Sequence, residues 1–190
     1  MATKIKKRAK PREERVLKSE TVFTGKVFGV RRDRVIEPNG VEATREVVTH
    51  PGSVVVLPVF GDGRILLIRQ YRHAAGQYLW ELVAGRRDQG EKFHRAAARE
   101  LAEETGYTAK SMRELMDVFP TPGFVSEEMV IFLAEGLTKG PANPEADEKI
   151  WMRPFRMRKA LDWIRKGKIR DAKSIAGILY YATFVPGGHR

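Results

Sequence analysis

The sequence predicts a mixed α/β sandwich rather than a doubly wound parallel sheet. Three observations carry that expectation. Short β-rich runs lie on both sides of one well-marked helix, turn signals separate the early runs, and two further helices close the chain. At 190 residues, 42% of them hydrophobic and 31% charged, the chain has the length for one well-cored domain with a small appendage.

The elements follow in order. Residues 1–16 read as a flexible basic tail, with Pro11 discouraging a continuous helix. Residues 21–36 are β-rich (Val22, Phe23, Val27, Phe28, Val30, Val35, Ile36). The turn signal Pro38-Asn39-Gly40 then leads into a second run ending at Val48, so residues 17–50 form a small antiparallel β-subdomain. A second hairpin pairs 54–60 with 64–70 around Gly61-Asp62-Gly63, and 78–83 is a further strand. Residues 91–105 give the clearest helix: Phe93, Ala97 and Leu101 recur on one face, and Gly106 stands where a left-handed C-cap belongs. Strands are expected at 115–119 and 129–134 around a loop at 120–128. A turn-rich connection at 136–144 precedes helices at 155–166 and 172–184. Residues 51–190 thus form the main domain.

Composition removes several chemistries. With no cysteine, disulfides, zinc–thiolate sites and thiol nucleophiles are excluded. The four histidines (His50, His73, His94, His189) lack the spacing of a metal pair, so a metal here takes oxygen ligands, which favours magnesium or manganese over zinc. The amino terminus has no apolar core of a secretory signal, and the apolar run at 54–60 is too short to span a bilayer and is broken by Pro58. A cytoplasmic protein without membrane attachment is expected. The net charge of +11 is concentrated: residues 1–16 hold seven Lys/Arg against two Glu, and residues 151–170 hold eight against one Asp. Neither run interleaves aromatics as a stacking platform does, so nucleic acid is not the expected partner.

The helix carries Arg99, Glu100, Glu103 and Glu104. Three carboxylates at i+3 and i+4 spacing crowd one face, read as opposite the Phe93/Ala97/Leu101 face, and oppose the helix by a few tenths (about 0.2–0.5) of a kcal/mol per pair. A shared cation removes that penalty. A solvated acidic face is the plainer explanation of the glutamates taken alone.

Their context points elsewhere. Gly85 is followed after five residues by Glu91, and after seven more by Arg99-Glu100-Leu101-Ala102-Glu103-Glu104-Thr105-Gly106-Tyr107. This resembles the Nudix box at every fixed position, with Tyr107 in place of an aliphatic residue as one mild departure. The resemblance implies an α/β/α sandwich of mixed sheets and a divalent-metal-dependent hydrolase of nucleoside diphosphates linked to another moiety. It implies Glu100 and Glu104 as principal metal ligands, Glu103 as a further ligand, and the carbonyl of Ala84 completing the set. Magnesium is the expected ion and manganese a substitute. Glu91 and Arg99 are similar to the family's ion pair that holds the loop against the helix, while Gly85 and Gly106 permit backbone conformations that a side chain would obstruct.

Other stretches resemble the ADP-ribose and nucleotide-sugar pyrophosphatase branch of that family: Ile68-Arg69-Gln70-Tyr71-Arg72, Trp80-Glu81-Leu82-Val83-Ala84-Gly85, Pro120-Thr121-Pro122-Gly123-Phe124-Val125-Ser126-Glu127, and Gly167-Lys168-Ile169-Arg170-Asp171-Ala172-Lys173-Ser174. The resemblance implies Arg72 and Arg45 as phosphate-binding, Glu81 as part of the substrate site, and Phe28 and Tyr71 as candidates for stacking on the base. It places Glu127 on the loop that carries the branch's catalytic glutamate, beside Glu103 and Arg99 in the catalytic set; Glu128 stays open as the alternative base. It also implies a homodimer in which the amino-terminal strands of one subunit lie over the active site of the other. The expected reaction is hydrolysis of a nucleotide sugar, ADP-ribose foremost, to AMP and ribose 5-phosphate. Competing expectations are an RNA 5′-end or dinucleoside polyphosphate pyrophosphohydrolase and a non-catalytic nucleotide-sugar sensor.

Overall fold

The computed structural model describes residues 13–143 and 149–188, and the basic segment 1–12 lies outside them. The chain divides into two compact units. One comprises the sequence up to His50 together with Thr121–Ser126; the other comprises Pro51–Pro120 and the sequence from Glu127 onward.

The first unit is an antiparallel meander of β1 (Arg15–Thr24), β2 (Gly29–Ile36) and β3 (Glu42–Thr49). β1 begins at Arg15, inside the stretch expected to be tail. The run at 21–36 is two strands, because Gly25 closes a turn through its N–H to the Phe28 carbonyl at 2.9 Å. The second turn falls where Pro38-Asn39-Gly40 predicts it, with Gly40 at φ +89° and its N–H donating to the Glu37 carbonyl. Every residue of β1 is exposed, including Val16, Leu17, Val22 and Phe23. The segment Thr121–Ser126 lies beside β3: Val48 N–H donates to the Phe124 carbonyl, and Ser126 N–H to the Val48 carbonyl.

The second unit is built on a seven-stranded mixed sheet with the path β10-β5-β4-β9-β8, β6 pairing with β5 and β7 with β4. Its strands are β4 (Ser53–Val59), β5 (Ile65–Arg72), β6 (Gln77–Glu81), β7 (Val83–Arg86), β8 (Tyr107–Val118), β9 (Met129–Lys139) and β10 (Trp151–Phe155). β4 and β9 are the parallel pair at its centre. Alternate residues of both enter opposite cores, as the two-residue period of a strand requires. Val55, Leu57, Ile131 and Leu133 face a core shared with α2 (Met157–Arg165) and α3 (Ala172–Phe184); Val54, Val56, Val130 and Phe132 face Ala96, Ala97 and Leu101 of α1 (Phe93–Thr105). The result is the expected α/β/α sandwich of mixed sheet with a small amino-terminal antiparallel sheet.

Further boundaries differ from the sequence reading, and the one strand expected at 78–83 is two, β6 and β7. β10 occupies residues 151–154, to which no element was assigned, and the first residue of the helix expected at 155–166; its Pro154 is tolerated because β10 is an edge strand. β8 and β9 extend well beyond 115–119 and 129–134, pairing from Tyr107↔Lys139 to Val118↔Met129 across a hairpin rich in exposed polar residues. α1 starts at Phe93 because Gly90 takes φ +77° and the Glu91 carboxylate accepts the Asp88 N–H. No helix of the described residues is long and apolar enough to cross a membrane.

Candidate active site

The site begins where β7 meets α1. Gly85 approaches Glu100 so closely that an added Cβ would lie 1.9 Å from the carboxylate carbon. The residue must therefore be glycine for the Glu100 side chain to lie against the strand. At the other end of α1, Gly106 caps the helix at φ +68°, its N–H donating to the Ala102 carbonyl at 2.8 Å. A Cβ there would meet the Gly140 carbonyl oxygen at 2.5 Å.

Arg99 is the hub of this region. Its guanidinium donates to both Glu91 oxygens (3.2 and 2.9 Å), to Glu100 Oε1 (2.7 Å), to Glu103 Oε2 (3.0 Å) and to the Arg86 carbonyl (3.1 Å). The Glu91 hydrogen bonds raise the Arg99 pKa above its ordinary value against the opposing effect of burial, and Glu100 adds to the rise. In return the Arg99 hydrogen bond holds Glu91 below the usual carboxylate range. The pair expected to hold loop to helix is formed. Arg87, to which the sequence reading gave no part, supports the same loop: its side chain donates to the Pro51 and Glu91 carbonyls and covers the Phe93 ring at 4.5 Å.

Glu104 departs from the sequence picture of a solvent-facing acidic stripe. It is only 3% exposed, because it stands three residues beyond Leu101 and seven beyond Ala97, on the stripe that α1 buries. Glu103 is half-exposed, so the three carboxylates occupy graded environments rather than one face.

A second polar network is built on β5 and β6. Arg72 grips Glu81 side-on, Nε to Oε1 and Nη2 to Oε2, each at 2.9 Å. Glu81 is 1% exposed, and its Oε2 also accepts from Lys173 of α3. Burial pushes the Glu81 carboxyl up, but the Arg72 hydrogen bonds and the Lys173 charge outweigh it and leave the group below its ordinary range. Burial is the largest single effect on Arg72 and lowers its pKa, but the Glu81 hydrogen bonds and charge together raise it above its ordinary value, and the Glu104 charge adds a smaller contribution. Lys173 belongs to a stretch that the sequence reading singled out without assigning it a role. The contact spans 92 residues, and no local periodicity announces it.

Glu127 is half-buried, and its Oε1 accepts a 2.6 Å hydrogen bond from Ser53 Oγ. Ser53 opens β4 opposite Arg86, and Val54 pairs with Gly85. Glu127 is thereby held by the residue that begins the strand beside the glycine loop. Glu128 is exposed, and its backbone carbonyl accepts the Ser53 N–H. Tyr71 is exposed on the same unit and packs edge-on against Tyr78, which in turn packs against Trp151. Arg45 and Phe28 belong to the first unit, where Arg45 forms an ion pair with Glu37 and Phe28 packs on Phe23.

Among the described residues no three His, Asp or Glu side chains already converge on one point, and Arg99 draws Glu100 and Glu103 toward itself. The donor set nevertheless suits a hard divalent cation. It is all oxygen, Gly85 leaves room for the Glu100 carboxylate against the β7 backbone, and Glu104 is a buried carboxylate one turn away.

Comparison with known proteins agrees with this geometry. The family model described as NUDIX domain matches residues 49–173, and that described as nucleoside diphosphate sugar hydrolase N-terminal domain matches residues 14–48. The chain is 40% identical over 167 residues to an ADP-ribose pyrophosphatase of Mycobacterium tuberculosis (86% of this chain, 80% of the relative). It is 36% identical over 170 residues to the ADP-ribose pyrophosphatase of Bacillus subtilis, and 34% identical over 170 to the methanol dehydrogenase activator of Bacillus methanolicus (each 88% of this chain and 92% of the relative). A crystal structure of an ADP compounds hydrolase superposes with TM-score 0.78 at 24% identity, covering 89% of this chain and 92% of that one.

Proposed function

We propose, from the premise that this chain belongs to the NUDIX family and is a Nudix hydrolase, that it hydrolyses the diphosphate linkage of nucleotide sugars, ADP-ribose foremost, to AMP and ribose 5-phosphate. One observation carries the reading furthest. Arg72 is gripped side-on by the buried Glu81 while its own side chain stays 36% exposed, so a part-exposed guanidinium is held in a fixed orientation, as a phosphate ligand requires. The relatives named ADP-ribose pyrophosphatase supply the substrate class.

Nudix hydrolases need divalent metal ions. Here Glu100 and Glu104, with Glu103 and the Ala84 carbonyl, would hold magnesium, or manganese as a substitute. Bound there, the ion supplies charge to neutralise the diphosphate and to make the attacking water more acidic. Arg72 binds a phosphate oxygen, and Arg45 is a second phosphate contact. Tyr71 and Phe28 are the alternative candidates for stacking on the base. Glu127, held by the Ser53 hydroxyl, would accept the proton of the attacking water, and a bound ion would lessen the basicity this role requires. Arg99 keeps the glycine loop on α1 and the carboxylates in order.

Residues 17–50 serve as the amino-terminal subdomain and 51–190 as the catalytic domain. The exposed apolar residues of β1 support docking on a second copy of the chain, giving a homodimer that works in the cytoplasm. Nucleic acid is not the favoured partner. The test is a substrate panel of ADP-ribose, GDP-mannose, ADP-glucose, dinucleoside polyphosphates and triphosphorylated RNA, each with magnesium. Phosphate released after phosphatase treatment should be greatest with ADP-ribose. Preference for the RNA would replace this reading, and activity on none would favour a sensor.

A further inference from the structure

Lys173 lies in the first turn of α3, a helix whose amino terminus is tied down twice. Asp171 caps it, accepting the Ser174 N–H at 3.0 Å and the Ser174 hydroxyl at 2.5 Å. Ser174 in turn accepts the Leu82 N–H at 2.7 Å, which fixes the helix start to the end of β6. Ser174 is fully buried. The backbone that carries Lys173 is thus held against the residue that follows Glu81.

The Lys173 side chain is only 14% exposed and divides its ammonium between Glu81 Oε2 and Asp171 Oδ1, the latter at 2.8 Å. An ammonium so placed gives up most of its water, and it does so on an oxygen that Arg72 Nη2 already uses. One buried carboxylate therefore serves two cations. Without Lys173, the Glu81 charge would fall wholly on Arg72, whose Nη2 would be left as the hydrogen-bond donor to Oε2. The Arg72 side chain is 36% exposed, against 1% for Glu81. How strongly it attracts a phosphate depends on how much of its charge Glu81 cancels.

We infer that Lys173 is a positioning residue for the diphosphate: it shares Glu81 with Arg72, so that the guanidinium is held in orientation while part of its charge stays available to a phosphate oxygen. Asp171, as helix cap and second partner of the ammonium, aims Lys173 at Glu81. The inference rests on the proposed role of Arg72 as a phosphate ligand, but not on which sugar or base the substrate carries.

The test compares full-length wild type with Lys173→Met, Lys173→Gln and Lys173→Arg. Three readouts are taken: kcat and KM for ADP-ribose, calorimetric affinity for methylenediphosphonate with magnesium present, and thermal unfolding. Lys173→Met should raise KM and weaken diphosphonate binding by about tenfold, with kcat changed by less than about threefold, and Lys173→Arg should recover most of the loss. In an Arg72→Met background the Lys173 substitution should add little further loss, because the two act through one carboxylate. If Lys173→Met does not fold, Lys173→Gln, which keeps a hydrogen-bond donor but no charge, should show the same loss of affinity. A lowered Tm with unchanged KM and unchanged diphosphonate affinity would overturn the inference and leave Lys173 a structural residue. Absence of ADP-ribose hydrolysis by wild type would instead remove the proposed substrate, while the diphosphonate titration still tests Lys173.

Discussion

Gly85 and Glu100 approach so closely that a methyl group at position 85 would overlap all three carboxylate atoms, at 1.9, 2.1 and 2.2 Å. The glycine is therefore required by the side chain on the facing helix rather than by its own backbone angles. Gly85→Ala should displace the Glu100 carboxylate from the strand and lower turnover by about 100-fold with little loss of stability, because the overlapping atoms are the far end of a flexible side chain. Gly61→Ala is the control, since nothing lies within 4 Å of a Cβ there. Steady-state kinetics beside urea unfolding of both variants checks the expectation.

Glu104→Gln separates charge from volume at a buried position. Turnover should fall by about 100-fold or more with the fold retained, because the amide fills the same space without the ligand charge. Activity within about tenfold of wild type would reject Glu104 as a principal ligand.

How much of this could be read beforehand depended on sequence distance. Gly85, Glu91, Arg99 and Glu100 lie within 16 residues at fixed spacing; the expected Glu91–Arg99 pair is formed, while the Arg99 bond to Glu100 was not anticipated. The α3 boundaries, 172–184, were legible too. The Ser53–Glu127 and Lys173–Glu81 contacts join residues 74 and 92 positions apart, which only the sheet order brings together. Strand β10 was hidden because Arg153 and Pro154 interrupt its apolar pattern, a cost that an edge strand tolerates. The burial of Glu104 was hidden because its charge outweighed its place on the Ala97/Leu101 stripe when the helix was read by residue type.

Proton transfer is tested at the loop glutamates. Glu127→Gln should reduce kcat by about 10²–10⁴-fold with little change in KM, whereas Glu128→Gln, an exposed side chain, should stay near wild type. Ser53→Ala should give a smaller kcat defect, since it removes one hydrogen bond to the Glu127 carboxylate and leaves the group itself in place. Collapse of the Glu128 variant alone would move the base by one residue.

The pH dependence of stability follows from Glu81. Its folded pKa lies below the ordinary 4.5, so the stabilisation is fully present above pH 4.5 and is lost as pH falls through the folded value. Glu81→Gln should cost about 3 kcal/mol at neutral pH, because two cations lose their buried counter-charge. The gap between variant and wild type in urea unfolding should hold steady from pH 7 to 5 and narrow below about 4.5. A gap that stayed constant into strong acid would contradict the assignment.

Sedimentation at micromolar concentration should give twice the 21.6 kDa chain mass. Phe23→Glu, on the exposed face of β1, should shift the protein toward monomer. A fully active wild-type monomer would exclude a shared site.

The most direct test of the central claim is the product analysis of ADP-ribose incubated with the protein and magnesium. The account predicts AMP and ribose 5-phosphate in equal amounts, their formation abolished by excess chelator and by Glu104→Gln. ADP-ribose recovered intact under those conditions, or cleaved equally well with chelator present, would contradict it.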